Sequence, residues 1–143
     1  MFLGEFQHSL DAKGRIILPS VFRGRLEAGL VITKGFDGCL WVMPQADWNA
    51  WSLKITGRVG VGDQRGRDIA RFFFAGARED RPDKQGRISV PEHLRKHADL
   101  GLERDAVVIG SGERIEVWNV ERWEARASSL EQTMQENLGD LGL

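Results

Sequence analysis

The sequence predicts an α+β fold, a pseudo-symmetric β-barrel built from two tandem modules with helices flanking it. Three observations predict it. Residues 11–23, DAKGRIILPSVFR, recur as residues 83–95, DKQGRISVPEHLR, with Asp, Gly, Arg, Ile, Pro and Arg matched at a constant offset of 72 and with Leu18/Val90 and Phe22/Leu94 apolar in both copies. Such self-similarity is the mark of a duplicated folding unit. After each copy come two β-rich runs and then a helical run, in the same order. Finally, two short hairpins and one small helix cannot bury their own faces, whereas two such units interleaved close a common core.

In the first half, Phe6, His8 and Leu10 alternate with Glu5, Gln7 and Ser9, the period of a half-buried strand. Asp11-Ala12-Lys13-Gly14 is a turn, since Asp bonds the backbone ahead of it and Gly accepts positive φ. Arg15–Leu18 resumes a strand, making a hairpin with Lys13 near its tip. Pro19-Ser20 opens a short helix to about Leu26, with Pro harmless in the first turn. Leu30–Lys34 and Cys39–Met43 form a second hairpin around Gly35-Phe36-Asp37-Gly38. Beyond Pro44, Gln45–Ile55 reads as a helix carrying Trp48 and Trp51. Thr56–Gly66 is a glycine-rich linker, and Arg67–Gly76 an amphipathic helix with Ile69, Phe72 and Phe73 at helical spacing.

The second half follows the same order. Residues 77–81 lack alternation and precede Pro82, which predicts a short or edge strand. Asp83-Lys84-Gln85-Gly86 is the turn, Arg87–Val90 the strand and Pro91–His97 the short helix. Val107–Gly110 and Arg114–Trp118 form the hairpin, and Val120–Leu138 the closing helix. The tail from Leu138 has nothing to pack against and should fray. The divisions are a first module at 1–55, linker and helix at 56–76, a second module at 77–123, and a C-terminal helix and tail at 124–143.

The chain has 143 residues, 41% hydrophobic and 29% charged, with a formal net charge of −1. That is the composition of a soluble globular protein, and its apolar runs are too short to span a membrane. The N-terminus lacks the pattern of a signal peptide. The one cysteine, Cys39, excludes an internal disulfide and suits a reducing cytoplasm; set in an apolar strand, it reads as buried and inert. The charge is unevenly spread, with residues 58–97 carrying an excess of about four cations and residues 116–143 an excess of about four anions. Such a chain can offer one basic face to a polyanion while staying near neutral overall.

An ordered set of motifs runs the length of the chain: Met1-Phe2-x-Gly4, then D-x-K-G-R-I followed by Pro19, then Gly38-Cys39-Leu40 followed by Pro44 and Trp48. The Arg71-Phe72-Phe73 helix, D-K-Q-G-R-I followed by Pro91, and Trp118 and Trp123 complete it. By these motifs the sequence resembles the MraZ family of bacterial transcriptional regulators. The resemblance implies two SpoVT/AbrB-like modules folded as a double-split, swapped-hairpin barrel of the AbrB and MazE type. It also implies a homo-oligomeric ring in the cytoplasm, on the nucleoid, with double-stranded DNA as partner. The implied operator is a set of short G-rich direct repeats upstream of the cell-division and cell-wall gene cluster that begins with the regulator's own gene, and the implied effect is mainly repression.

On that reading the turns carry the chemistry. Lys13 and Arg15, and Lys84 and Arg87, are the candidate DNA contacts, because a two-stranded ribbon fits the major groove and Arg or Lys can bond guanine O6 and N7. A structural role competes for the arginines, since Asp11 with Arg15 and Asp83 with Arg87 also suit ion pairs bracing the turns. The Asp residues belong to that brace, because a carboxylate beside phosphates is repelled. Gly14 and Gly86 are turn formers. Arg23 and Arg95 suit either support of the ribbon on DNA or a helix C-cap. The tryptophans read as core or interface anchors rather than stacking platforms.

Enzyme chemistry finds no support. His93 and His97 are four residues apart on a helix, but the sequence places no third ligand and no catalytic Glu with them, so a solvated helix face and no metal are expected. No nucleophile elbow or phosphate-binding loop is present, and no cofactor or small-molecule substrate is implied. Two other binding classes compete: a MazE/AbrB-type antitoxin, which expects one module with an extended tail, and a ring scaffold that binds no DNA.

Overall fold

The computed structural model describes residues 1–60 and 62–143. β1 (Phe2–Ser9) begins earlier than the alternation suggests, burying Phe2 with Phe6 and His8 half-buried on the same side. It pairs along its whole length with β7 (Asp105–Gly112), from the second repeat. The expected hairpin of residues 5–10 with 15–18 is reduced to one bridge, Leu10–Ile16. β2 (Arg15–Ile17) pairs instead with β6 (Arg87–Ser89), antiparallel, in register Arg15–Ser89, Ile16–Ile88 and Ile17–Arg87. The crossing buries Ile16 and Ile88, each 1% exposed. It also lets Leu18 and Val90 donate their amides to the Gly86 and Gly14 carbonyls at 2.9 and 2.8 Å. A three-residue strand has too few ladder bonds to hold alone, so tertiary pairing decides its partner.

Pro19 leads into α1 (Ser20–Arg23), continued by a 3-10 turn at Gly24–Leu26. β3 (Leu30–Lys34) and β4 (Leu40–Pro44) form the expected second hairpin, turned by Asp37 at φ 63° and Gly38 at φ 77°. α2 (Gln45–Arg58) runs past Ile55 into the expected linker. α3 (Gln64–Ala70) starts before Arg67, because the Asp63 side chain caps it by accepting the Arg65 amide. Of the linker 56–66, Val61 lies outside the described residues.

Arg71–Ala75 is a π-helical turn rather than α-helix. Phe72, Phe73 and Phe74 all join one apolar cluster, and the Phe73 carbonyl accepts a 2.7 Å bond from the buried hydroxyl of Thr33. β5 (Arg78–Asp80) is the short edge strand expected, paired to β3 alone. α4 (Glu92–Ala98) follows β6, and β8 (Ile115–Asn119) pairs with both β7 and β4. α5 (Val120–Asp140) stays helical past Leu138, contrary to the frayed tail expected, because the Leu138 carbonyl accepts the Leu141 and Leu143 amides at 3.2 and 2.8 Å.

The main sheet has the order β1-β7-β8-β4-β3-β5. Exchanging the repeats (β1 for β5, β7 for β3, β8 for β4) reads the same order backwards. Two facing pairs, Trp41–Glu116 and Ile16–Ile88, each join equivalent residues of the two repeats and so mark the pseudo-two-fold. Among the described residues no pairing joins the edges β1 and β5, so the sheet does not close into the barrel expected. Two causes are visible: β5 stops before Pro82, and β2 and β6 leave the main sheet to pair with each other.

Alternate residues of the central strands supply two apolar clusters. Leu40, Val42, Val108, Ile115 and Val117 face β2, β6, α1 and α4, packing on Ile16, Ile88, Phe22 and Leu94. Trp41, Met43, Val107, Ile109 and Trp118 face the other way, towards Trp48 and Trp51 of α2, Phe73 of the π turn and Trp123 of α5. The tryptophans are therefore packed in or against this second cluster, as anchors.

Candidate nucleic-acid interface

Each turn is built by its aspartate. Asp11 Oδ1 accepts the amides of Lys13 and Arg15 at 2.9 Å, and Oδ2 accepts Nε of Arg15 at 2.8 Å. Asp83 repeats the pattern with Gln85 and Arg87, at 2.9, 2.9 and 2.7 Å. The Arg15 amide is the largest cause holding the Asp11 carboxyl below its usual range; partial desolvation opposes it, and the guanidinium and the Lys13 amide reinforce it. Asp83 is lowered in the same way by Arg87 and Gln85. Gly14 and Gly86 both sit at φ 78°, a conformation that favours glycine.

The turns are not separate projecting hairpins. They lie at opposite ends of one two-stranded ribbon, because β2 and β6 run antiparallel through the pair Ile16–Ile88. Since Ile16 and Ile88 point into the core, Arg15, Ile17, Arg87 and Ser89 share the outward face. Arg15 and Arg87 are thus brought together on one surface, roughly 7 Å apart along the strand direction. Their side chains are 29% and 28% exposed, and only Nε is tied to the aspartate, leaving the Nη groups without a hydrogen bond among the described residues. Lys13 and Lys84 stand exposed at the two ends.

Arg23 and Arg95 do not cap helix C-termini. Nε of Arg23 donates to the Leu18 carbonyl at 2.9 Å, and Nη1 of Arg95 to the Val90 carbonyl at 2.6 Å; both acceptors precede their helices. Of the six cations Lys13, Arg15, Arg23, Lys84, Arg87 and Arg95, only Arg15 and Arg87 form ion pairs among the described residues, with Asp11 and Asp83, and Asp80 accepts the Ser89 amide beside the first turn. Ile17, Ser89 and Asp80 were not singled out from sequence. Strand alternation was the signal for the first two, whereas Asp80 reaches the ribbon by a side-chain bond to the Ser89 amide nine residues on, which no periodicity marks.

The histidines do not form a free helix face. Nε2 of His93 and of His97 lie 3.1 Å from the Gly76 and Gly35 carbonyls, two separate partners. Cys39 is fully buried, its thiol 3.2 Å from the Phe36 carbonyl, and burial pushes its pKa up. No group of three or more His, Cys, Asp or Glu among the described residues could hold a metal ion. Among those residues no helix is long and apolar enough to cross a membrane.

The fold and this site define a duplicated α+β protein whose repeats cross to form one basic β-ribbon. Residues 1–59 and 73–138 match the family described as "MraZ protein, putative antitoxin-like". The chain is 43% identical to a transcriptional regulator MraZ of Pediococcus pentosaceus, over the full length of both. It is 48% identical to that of Frankia casuarinae, over 95% of this chain and 93% of the relative, and 42% identical to that of Halothermothrix orenii, over both full lengths. The chain belongs to the MraZ family.

Proposed function

We propose that this protein is a sequence-specific DNA-binding transcriptional regulator, mainly a repressor, that lays the β2–β6 ribbon against DNA. The observation that carries this reading is the single outward ribbon face with Arg15 and Arg87 at its centre and Lys13 and Lys84 at its ends. A two-stranded ribbon fits the major groove, and free Nη groups on two arginines suit guanine O6 and N7. The relatives' name, transcriptional regulator, supports the same reading.

The operator is a set of short G-rich direct repeats upstream of the cell-division and cell-wall genes, beginning with the protein's own gene, and the protein works on the nucleoid as a homo-oligomeric ring. One ribbon touches few phosphates, so several ribbons in one assembly are needed to engage a repeated site tightly. Self-association has surfaces available, for residues 131–143 of α5 and its extension are exposed throughout, with Met134, Leu138, Leu141 and Leu143 among them.

The test is fluorescence anisotropy with DNA from upstream of the gene, its repeats mutated singly, in a salt titration. Affinity should fall with each mutated repeat, and log K should decline with log salt by about 0.9 per phosphate contact. Lys13→Ala with Lys84→Ala should weaken binding at least about tenfold and lower that slope, with gel-filtration size unchanged. Binding indifferent to repeat sequence and to both lysines would refute the reading, and no binding at all would leave a scaffold that binds no DNA.

A further inference from the structure

Each turn glycine is buried against an arginine of the other repeat. The space that a side chain at Gly14 would need is filled by the guanidinium of Arg95, and the space at Gly86 by the guanidinium of Arg23. Hydrogen bonds close the same crossing. The Gly14 carbonyl accepts the Val90 amide at 2.8 Å, and the Val90 carbonyl accepts Nη1 of Arg95 at 2.6 Å. The Gly86 carbonyl accepts the Leu18 amide at 2.9 Å, and the Leu18 carbonyl accepts Nε of Arg23 at 2.9 Å. Each arginine thus closes a ring of contacts that includes the opposite turn, and neither pairs with a carboxylate among the described residues.

We propose that Arg23 and Arg95 are positioning residues that act across the repeats, Arg95 setting the turn at 11–14 and Arg23 the turn at 83–86. The inference rests on the ribbon being the DNA face. It makes the two basic turns interdependent, because each is held by the helix of the other repeat. A guanidinium suits this role: it packs against the glycine while one of its N–H groups donates to the neighbouring carbonyl, whereas an ammonium presents a compact point charge.

Two measurements test it. The first is amide hydrogen exchange without DNA, which reads local opening residue by residue. Arg95→Ala should speed exchange of the Lys13 and Arg15 amides by about tenfold and leave those of Gln85 and Arg87 within about twofold; Arg23→Ala should do the reverse. If alanine loosens the whole sheet, seen as faster exchange along β1 and β7, Arg95→Lys and Arg23→Lys replace it and should give the same crossed pattern. Faster exchange in the same repeat's turn, or equally in both turns, for both kinds of variant overturns the proposal.

The second is a set of double-mutant cycles in operator binding. Arg95→Ala should be non-additive with Lys13→Ala and additive with Lys84→Ala, and Arg23→Ala the opposite. An Arg95→Ala that is additive with both lysines and lowers the salt slope by about one makes Arg95 a direct phosphate contact and sinks the positioning role. Wild-type protein that binds no operator removes the DNA reading while the exchange pattern stands. Intact operator binding with an uncrossed exchange pattern removes only this inference.

Discussion

Asp11 and Asp83 show how one residue type can fix a turn. Each carboxylate collects two backbone amides and one guanidinium Nε–H, which hold the ionised form and lower the carboxyl pKa. A carboxyl whose folded pKa is depressed stabilises the fold above its unfolded pKa and loses that stabilisation as pH falls through the folded value. The window therefore opens below about pH 4, where an unfolded Asp titrates. Asp11→Asn with Asp83→Asn should melt below wild type at pH 7, and the gap should close on acidification below about pH 4. A gap that persists unchanged at pH 2.5 would show that the carboxylates' charge does not brace the turns. The aspartates and glycines were legible from sequence because their partners lie within four residues. The resting places of Arg23 and Arg95 were not: their acceptors lie five residues back in their own repeat, but the glycines they cover depend on which strands cross.

Among the elements, the ribbon is where sequence reading and structure part. The repeat and the strand runs correctly marked β2 and β6, but adjacency in sequence favoured a hairpin of β1 with β2, whereas β2 takes β6 as its partner. Periodicity reports which residues face inward and carries no information about the neighbouring strand. The π turn at Arg71–Ala75 was hidden for a similar reason, because Ile69, Phe72 and Phe73 satisfy an α-helical period equally well. If the crossing is the joint between repeats, its central pair should be costly to truncate. Ile16→Ala and Ile88→Ala should each destabilise by about 2–5 kcal/mol, as buried isoleucines do. Because they face each other, the double variant should fall short of the sum by at least about 0.5 kcal/mol. Urea denaturation at fixed protein concentration reads both, and midpoints unmoved by either single change would rule out the crossing as a joint.

On the scale of the whole molecule, the pseudo-two-fold governs backbone more strictly than side chains. The sheet order is palindromic and the two turns share their hydrogen bonds, yet Ala12-Lys13 in one corresponds to Lys84-Gln85 in the other. All four side chains are exposed, and the turn bonds involve only amides at these positions. The backbone should therefore accept either pair. Ala12→Lys with Lys13→Gln makes both turns D-K-Q-G-R and leaves the net charge unchanged. Its stability should stay within about 0.5 kcal/mol of wild type, the range of surface changes that touch no cap, core or strained backbone. With one lysine still on each turn, the salt slope of operator binding should also stay the same, while a shift in affinity reports which position reaches the DNA. A loss of more than about 2 kcal/mol would mean that Lys13 holds its turn in a way Gln85 does not, and the likeness of the two turns would then be confined to their hydrogen bonds.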